Sequence, residues 1–241
     1  MDKNKYFKMQ QKGTVGEIII YGDIVSYQWA DTDVSATSFK DELDTLGDVN
    51  QLDVYINSGG GSVFEGIAIY NMLKRHKAKV NIYVDALAAS IASVIAMSGD
   101  TIFMPKNSMM MIHNAWTYSV GNADDLRKAA DDLDRINESS NQAYRERNLT
   151  ISEDELQSLL DAETWLSADE CLQYGLCDEV IQSNEAVAQV SKDMFKTYQK
   201  APETIENMVE TPQKATISDE ERKKIQDYLQ TVDTKLQNIN L

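Results

Sequence analysis

The chain has 241 residues, with 23 Lys and Arg against 39 Asp and Glu, a formal net charge of −16, two histidines and two cysteines. That length supports one domain with a sizeable core plus an extension. The acidity argues against a nucleic-acid surface and against adsorption to anionic lipid, two histidines exclude a histidine-rich metal centre, and Cys171 and Cys177 lack the flanking ligands of a zinc site.

Without an apolar run of membrane-spanning length, and with a segment 1–12 too polar for a signal peptide, the expectation is a soluble cytoplasmic protein. Residues 1–12 read as a flexible polar lead-in. The unbroken β-branched run at 17–24 predicts a strand buried on both faces. Ser35 is a candidate N-cap for a helix carrying Phe39, Leu43 and Leu46 on one face. Residues 52–57 return to strand. Gly59-Gly60-Gly61 makes a turn, and 63–75 is a helix with Val63, Ile67, Tyr70 and Leu73 on one stripe. The turn admits two readings, a plain tight turn or a place where a peptide backbone approaches closely. It lacks the Lys-Ser/Thr of a phosphate loop, and Phe64 stands where a dinucleotide fingerprint needs its third glycine.

The stretch 85–99, Asp-Ala-Leu-Ala-Ala-Ser-Ile-Ala-Ser-Val-Ile-Ala-Met-Ser-Gly, reads as a strand end breaking into a buried helix at Ser90. Strand alternation at 80–84 precedes it, and Ile91, Val94, Ile95 and Ser98 follow at helical spacing. Ser90 is then either a small residue that lets a buried helix pack closely or a hydroxyl near the positive helix end, where a developing anion is stabilised. Strands at 101–104 and 109–112 continue the α/β rhythm. From Asn122, capped with Asp125, a stripe of Leu126, Ala129, Ala130, Leu133, Ile136, Ser140, Ala143 and Tyr144 predicts a helix to about residue 147, roughly 39 Å long. Short helices begin at Ser152 and Ser167, Tyr174-Gly175 ends the second, and 177–182 is a last strand. The region 185–241 holds two of the three prolines. It reads as an extension, with helices at 185–198 and 218–236 that need a partner to be ordered.

Four separated motifs, Ile56-Asn-Ser-Gly-Gly-Gly61, Ala88-Ala-Ser90, Met111-Ile-His113-Asn and Trp165-Leu-Ser-Ala-Asp-Glu-Cys-Leu-Gln-Tyr-Gly-Leu-Cys-Asp178, occur in the order and spacing of one family. Over about residues 13–181 the chain resembles the proteolytic subunit of the Clp proteases, which implies a serine peptidase domain at 13–184. The resemblance implies a ClpP/crotonase-like spiral of β-β-α units with a projecting handle helix at about 122–147. It also implies Ser90 as nucleophile, His113 as general base, and the N–H groups of Gly61 and Ile91 as oxyanion donors. Substrate would lie extended along Gly60, Ser62 and Val63 by β-augmentation.

The chemistry is coherent on its own terms. A hydroxyl needs a base within reach, and His76 sits in a charged cluster whereas His113 follows a buried strand. Ser93, one turn beyond Ser90, is expected to be dispensable. The family's usual aspartate aligns with Glu163, with Asp161 two residues earlier as the alternative; either is otherwise a solvated acid in an acidic stretch. The family's axial loop has no clear match at the start of the chain. Together with the extension, that points to the phage and prophage branch, head maturation proteases acting on capsid or scaffold precursors in the host cytoplasm. An ATPase-coupled Clp peptidase and a non-catalytic assembly protein on the same fold are the alternatives. The partners implied are polypeptide substrate, copies of this chain in a ring or double ring, capsid or scaffold proteins, or a Clp ATPase; no cofactor, metal, nucleic acid or membrane is expected.

Overall fold

Phe7 and Met9 point inward from a six-residue strand, β1 (Phe7–Lys12), which runs antiparallel to β2 (Val15–Tyr21). Part of the expected flexible lead-in is therefore sheet, because two alternating apolar side chains and the open edge of β2 together give it a place to pair. The computed structural model describes residues 7–27, 33–182 and 197–202. The chain divides into units at Glu210 and Thr211, and the second unit lies outside the described residues.

Beyond β2 the order is α1 (Ala36–Leu43), β3 (Gln51–Ser58), α2 (Val63–Lys74), β4 (Lys79–Ala89), α3 (Ile91–Ala96), β5 (Thr101–Pro105), β6 (Met109–Ile112), α4 (Ala123–Arg145), α5 (Glu153–Asp161), β7 (Thr164–Ser167), α6 (Ala168–Tyr174) and β8 (Glu179–Ile181). This is the α/β class expected. The sheet runs β1-β2-β3-β4-β5-β8, with β6 pairing β4 and β7. Against expectation β2 is buried on one face only, with Ile18 and Ile20 inward and Glu17, Ile19 and Tyr21 half-buried. On that second face Tyr55, Tyr83 and Phe103 stack across β3, β4 and β5 at centroid separations of 5.0 and 4.8 Å, so ring contacts take the place of a covering layer.

Strand β4 decides where the site falls. Its first half pairs with β5 through Asn81, Ile82 and Tyr83, and its last three residues pair with β6 through Leu87, Ala88 and Ala89. Between the halves the register against β3 shifts, Ile56 facing Val84 but Ser58 facing Ala88. The extra residues bend β4 from one neighbour to the other, as a bulge does. Its end is then enclosed by α3, in which all six residues are buried; Ile91, Val94 and Ile95 each contribute about 1.5–3 kcal/mol of burial.

The capping serines act as read: Ser35, Ser152 and Ser167 accept from the first turns of α1, α5 and α6, and Asn122 with Asp125 makes the capping box of α4. Helix α4 is 23 residues, about 34 Å at 1.5 Å per residue. Only Ser140, Asn141, Ala143 and Tyr144 are buried, while Leu126 is 46% exposed and Leu133 and Ile136 half-buried. The helices anticipated at 185–198 and 218–236 lie outside the described residues, save Thr197 and Tyr198, which are not helical.

Candidate active site

Ser90 occupies the single residue between β4 and α3 with φ 54° and ψ −128°. A non-glycine residue there costs of order 1–3 kcal/mol and persists only where its surroundings over-determine it. They do so here. The Ser90 N–H donates to the Met111 carbonyl (2.9 Å), and the Ser90 carbonyl accepts from both the N–H and the Oγ of Ser93 (2.9 and 2.5 Å). Ser93 is fully buried with its Oγ 2.7 Å from the Tyr144 hydroxyl. It supports the turn, a structural role separate from the expectation that it is dispensable for the chemistry.

Strand register brings the other side chains in. Ala89 pairs with Met111 across the parallel β4–β6 ladder, so Ser90 lies beside the end of β6. There His113 Nε2 comes 2.7 Å from Ser90 Oγ. Strand β6 pairs antiparallel with β7, Met111 facing Trp165 and Ile112 facing Thr164. Just beyond that ladder, Glu163 precedes β7 and its charge bears on His113. Glu163 is the only other described non-glycine residue with positive φ, 50°, and follows Ala162, the C-cap of α5. Asp161 turns elsewhere, accepting from Asn114 Nδ2 and Gln157 Nε2 at 2.7 Å each. Burial pushes the His113 pKa below its ordinary value, partly offset by the Glu163 charge. The neutral imidazole that can accept a hydroxyl proton is thereby favoured at neutral pH.

The glycine turn supplies the opposite wall. Ile24 N–H donates to the Gly60 carbonyl and the Ile24 carbonyl accepts from Ser62 N–H, at 2.8 and 2.7 Å, which turns the intervening Gly61 N–H away from Ile24. Gly60 (φ +92°) leaves no room for a side chain: a Cβ would lie 2.8 Å from Ser90 Cβ and 2.7 Å from the Ala89 carbonyl oxygen. Ile91 is the first residue of α3, so its N–H has no partner within the helix. A cavity of about 530 Å³ opens between Gly61, Ser62, Val63, Ser90, His113 and Trp116. The expected strand edge along Ser62 and Val63 is absent. Ser62 is the N-cap of α2 with its N–H already spent on Ile24, and Val63 is helical, so both line the cavity as wall.

Residues 197–202 also enter, which periodicity did not foretell; an isolated aromatic in a polar tail carries almost no signal. The Tyr198 ring meets the edges of His113 and Trp165 at centroid distances of 5.8 and 5.5 Å, and its hydroxyl donates to the Gly59 carbonyl. The Glu163 carboxylate accepts from the N–H groups of Gln199 (3.0 Å) and Lys200 (2.7 Å). Among the described residues no group of His, Cys, Asp or Glu is placed to hold a metal ion. No helix among them is long and apolar enough to cross a membrane. Cys171 and Cys177 are free and buried, the Cys177 thiol pushed up to about 12 by burial.

A hydroxyl at a strained strand-to-helix turn, touched by a half-buried imidazole whose neutral form burial favours, is the arrangement of serine hydrolases. Residues 9–184 match the family described as Clp protease, and the chain belongs to that family. It is 30% identical over 167 residues to the ATP-dependent Clp protease proteolytic subunit of Deinococcus radiodurans, an overlap covering 68% of this chain and 79% of that protein.

Proposed function

We propose that the protein is a serine endopeptidase in which Ser90 is the nucleophile, His113 the general base and Glu163 the carboxylate that orients the imidazole. The 2.7 Å approach of His113 Nε2 to Ser90 Oγ carries the reading. In the reaction Nε2 takes the Ser90 proton as Oγ attacks the scissile carbonyl, and the N–H groups of Gly61 and Ile91 receive the oxyanion. The proton then passes to the leaving amine as the C–N bond breaks. Water, giving its proton to His113, attacks the acyl-serine ester and releases the new carboxyl end. Each oxyanion donor contributes about 10²–10³ in rate.

The substrate in this reading is polypeptide, reached inside a homo-oligomeric ring or double ring. Support comes from α4, whose half-covered stripe around Leu133 and Ile136 suits a second copy. We further propose processing of capsid or scaffold precursors in the cytoplasm, since the region past residue 184 lies outside the family match and suits a substrate-directing extension. Feeding by a Clp ATPase is the competing reading.

Labelling with a fluorophosphonate followed by peptide mapping tests the chemistry. Label on Ser90, lost together with short-peptide hydrolysis in a folded Ser90→Ala variant, supports it; label on another serine, or undiminished hydrolysis, overturns it. A precursor cleaved without ATP supports capsid processing. Degradation of folded substrate only with a Clp ATPase and ATP replaces it.

A further inference from the structure

The carboxylate assigned to the triad is not joined to the imidazole. Glu163 lies one residue before β7, near enough for its charge to bear on His113, yet both its oxygens accept from the tail, one from Gln199 N–H and one from Lys200 N–H. Among the described residues, His113 makes its hydrogen bond to Ser90 alone. Four further contacts hold the tail in place. The Tyr198 ring is 8% exposed in an apolar cluster of Leu87, Ala89 and Met111, with Trp165 against it. Its hydroxyl donates to the carbonyl of Gly59, in the same glycine turn that presents Gly61. Ala201 packs on the cluster's rim, and Lys200 Nζ donates to the Ala162 carbonyl. The family match ends at residue 184, so this segment is an addition to a site that the matched region already contains.

We propose that the pocket beside His113 is a peptide-binding site for a tyrosine followed by two free backbone N–H groups, and that residues 197–202 of this chain fill it as a latch. Filling it takes Glu163 away from His113 and holds the peptidase in a low-activity state. The proposal rests on the serine peptidase reading for its consequence and on the contacts above for the site. With the latch docked, the imidazolium formed during attack lacks its carboxylate, a defect that costs about 10⁴ in rate where the acid of a triad is disabled. When the latch leaves, Glu163 is free to accept from His113 Nδ1–H. No covalent change is involved. A peptide of the same chemistry, added from outside, competes for the same pocket.

The test uses the full chain in two variants. Tyr198→Ala removes the anchor; Gln199→Pro keeps the tyrosine but deletes one N–H to Glu163. We expect short-peptide hydrolysis and fluorophosphonate labelling of Ser90 to rise about 10- to 100-fold in Tyr198→Ala, the docking equilibrium that burial of one aromatic side chain sustains. A smaller rise is expected in Gln199→Pro. Added Thr-Tyr-Gln-Lys-Ala-Pro should return Tyr198→Ala to the parent rate, whereas the same peptide with alanine for tyrosine should not. Two readouts do not need catalysis: a fluorescent form of the peptide should bind Tyr198→Ala, and the His113 pKa followed by nitrogen-15 NMR should rise in Gln199→Pro as Glu163 turns to it. Unchanged or lowered rates in both folded variants overturn the latch. If no form of the protein hydrolyses peptide or takes label, the peptidase reading fails; absent peptide binding and an unmoved His113 pKa would then reject the site as well.

Discussion

Gly60→Ala tests whether the site depends on the fit between the glycine turn and the Ser90 turn. At φ +92° an alanine is strained by about 1–3 kcal/mol. Its Cβ would meet the Ala89 carbonyl oxygen at 2.7 Å, Ser90 Cβ at 2.8 Å and Ile91 N at 3.2 Å. These are backbone atoms and a Cβ, not flexible side-chain ends, so crowding adds about 1–3 kcal/mol, against roughly 0.4–1 kcal/mol returned by the stiffer unfolded chain. The expected loss of stability is about 2–4 kcal/mol. Relief requires Ser90 to move by several tenths of an ångström relative to His113, and about 1 Å of misplacement costs about 10² in rate, so turnover should fall about 10- to 100-fold. Gly13→Ala is the control. Gly13 also has positive φ, +63°, but nothing within 4 Å of its missing Cβ, so it should lose about 1 kcal/mol and no activity. Denaturant midpoints and the rate of Ser90 labelling measure the two effects separately. Full activity in Gly60→Ala, or an equal loss in Gly13→Ala, would refute the reasoning.

Glu163→Gln should lower peptide hydrolysis by orders of magnitude while Asp161→Asn changes little, and the contrast should be largest in the Tyr198→Ala background, where the carboxylate is free; the reverse ranking would move the role to Asp161. Because burial depresses the His113 pKa, the acid limb of the rate against pH should fall below the ordinary histidine value of 6.5, and a limb at or above it would contradict the burial. The unfolded chain binds this proton more readily, so His113 makes stability decline as pH drops from 6.5 to the folded-state value, measurable by denaturation at a series of pH values. Ser93→Ala leaves the Ser90 carbonyl and the buried Tyr144 hydroxyl each short of a partner and should cost about 1–3 kcal/mol in unfolding free energy. Leu133→Asp, mid-stripe on α4, should dissociate the assembly in light scattering without unfolding the protomer; an unchanged mass would show that this face is not the interface.

Local patterns reached far in this chain because they report interactions between near neighbours. Alternation and β-branching mark β3 and β4, an apolar run marks β6, the serine and asparagine caps mark the starts of α1, α4, α5 and α6, and the break at Ser90 is visible as a change of period from two to 3.6. The glycines of 59–61 and the lone His113 after an apolar strand made the candidate pair legible. What needed the folded chain was every relation across sequence distance. The four residues of β7 are too short to show a period, yet their pairing with β6 brings the chain just before them beside the end of β6, where Asp161 accepts from Asn114 and the Glu163 charge bears on His113. Ser62 and Val63 read as a strand edge until the bridge from Ile24 takes the Ser62 N–H and α2 begins. Ser93 reads as spare until Tyr144, 51 positions later, bonds to it. Tyr198 has no apolar periodicity around it, and it is buried among Leu87, Ala89, Met111 and Trp165, side chains far from it in sequence. Sequence by itself determined the starts of the elements, the break at Ser90 and the motifs of the family, since residue type and local spacing decide those. Tertiary structure decided that Asp161 bonds to Asn114 while Glu163 accepts from the backbone of Gln199 and Lys200, since these contacts join residues far apart in the chain.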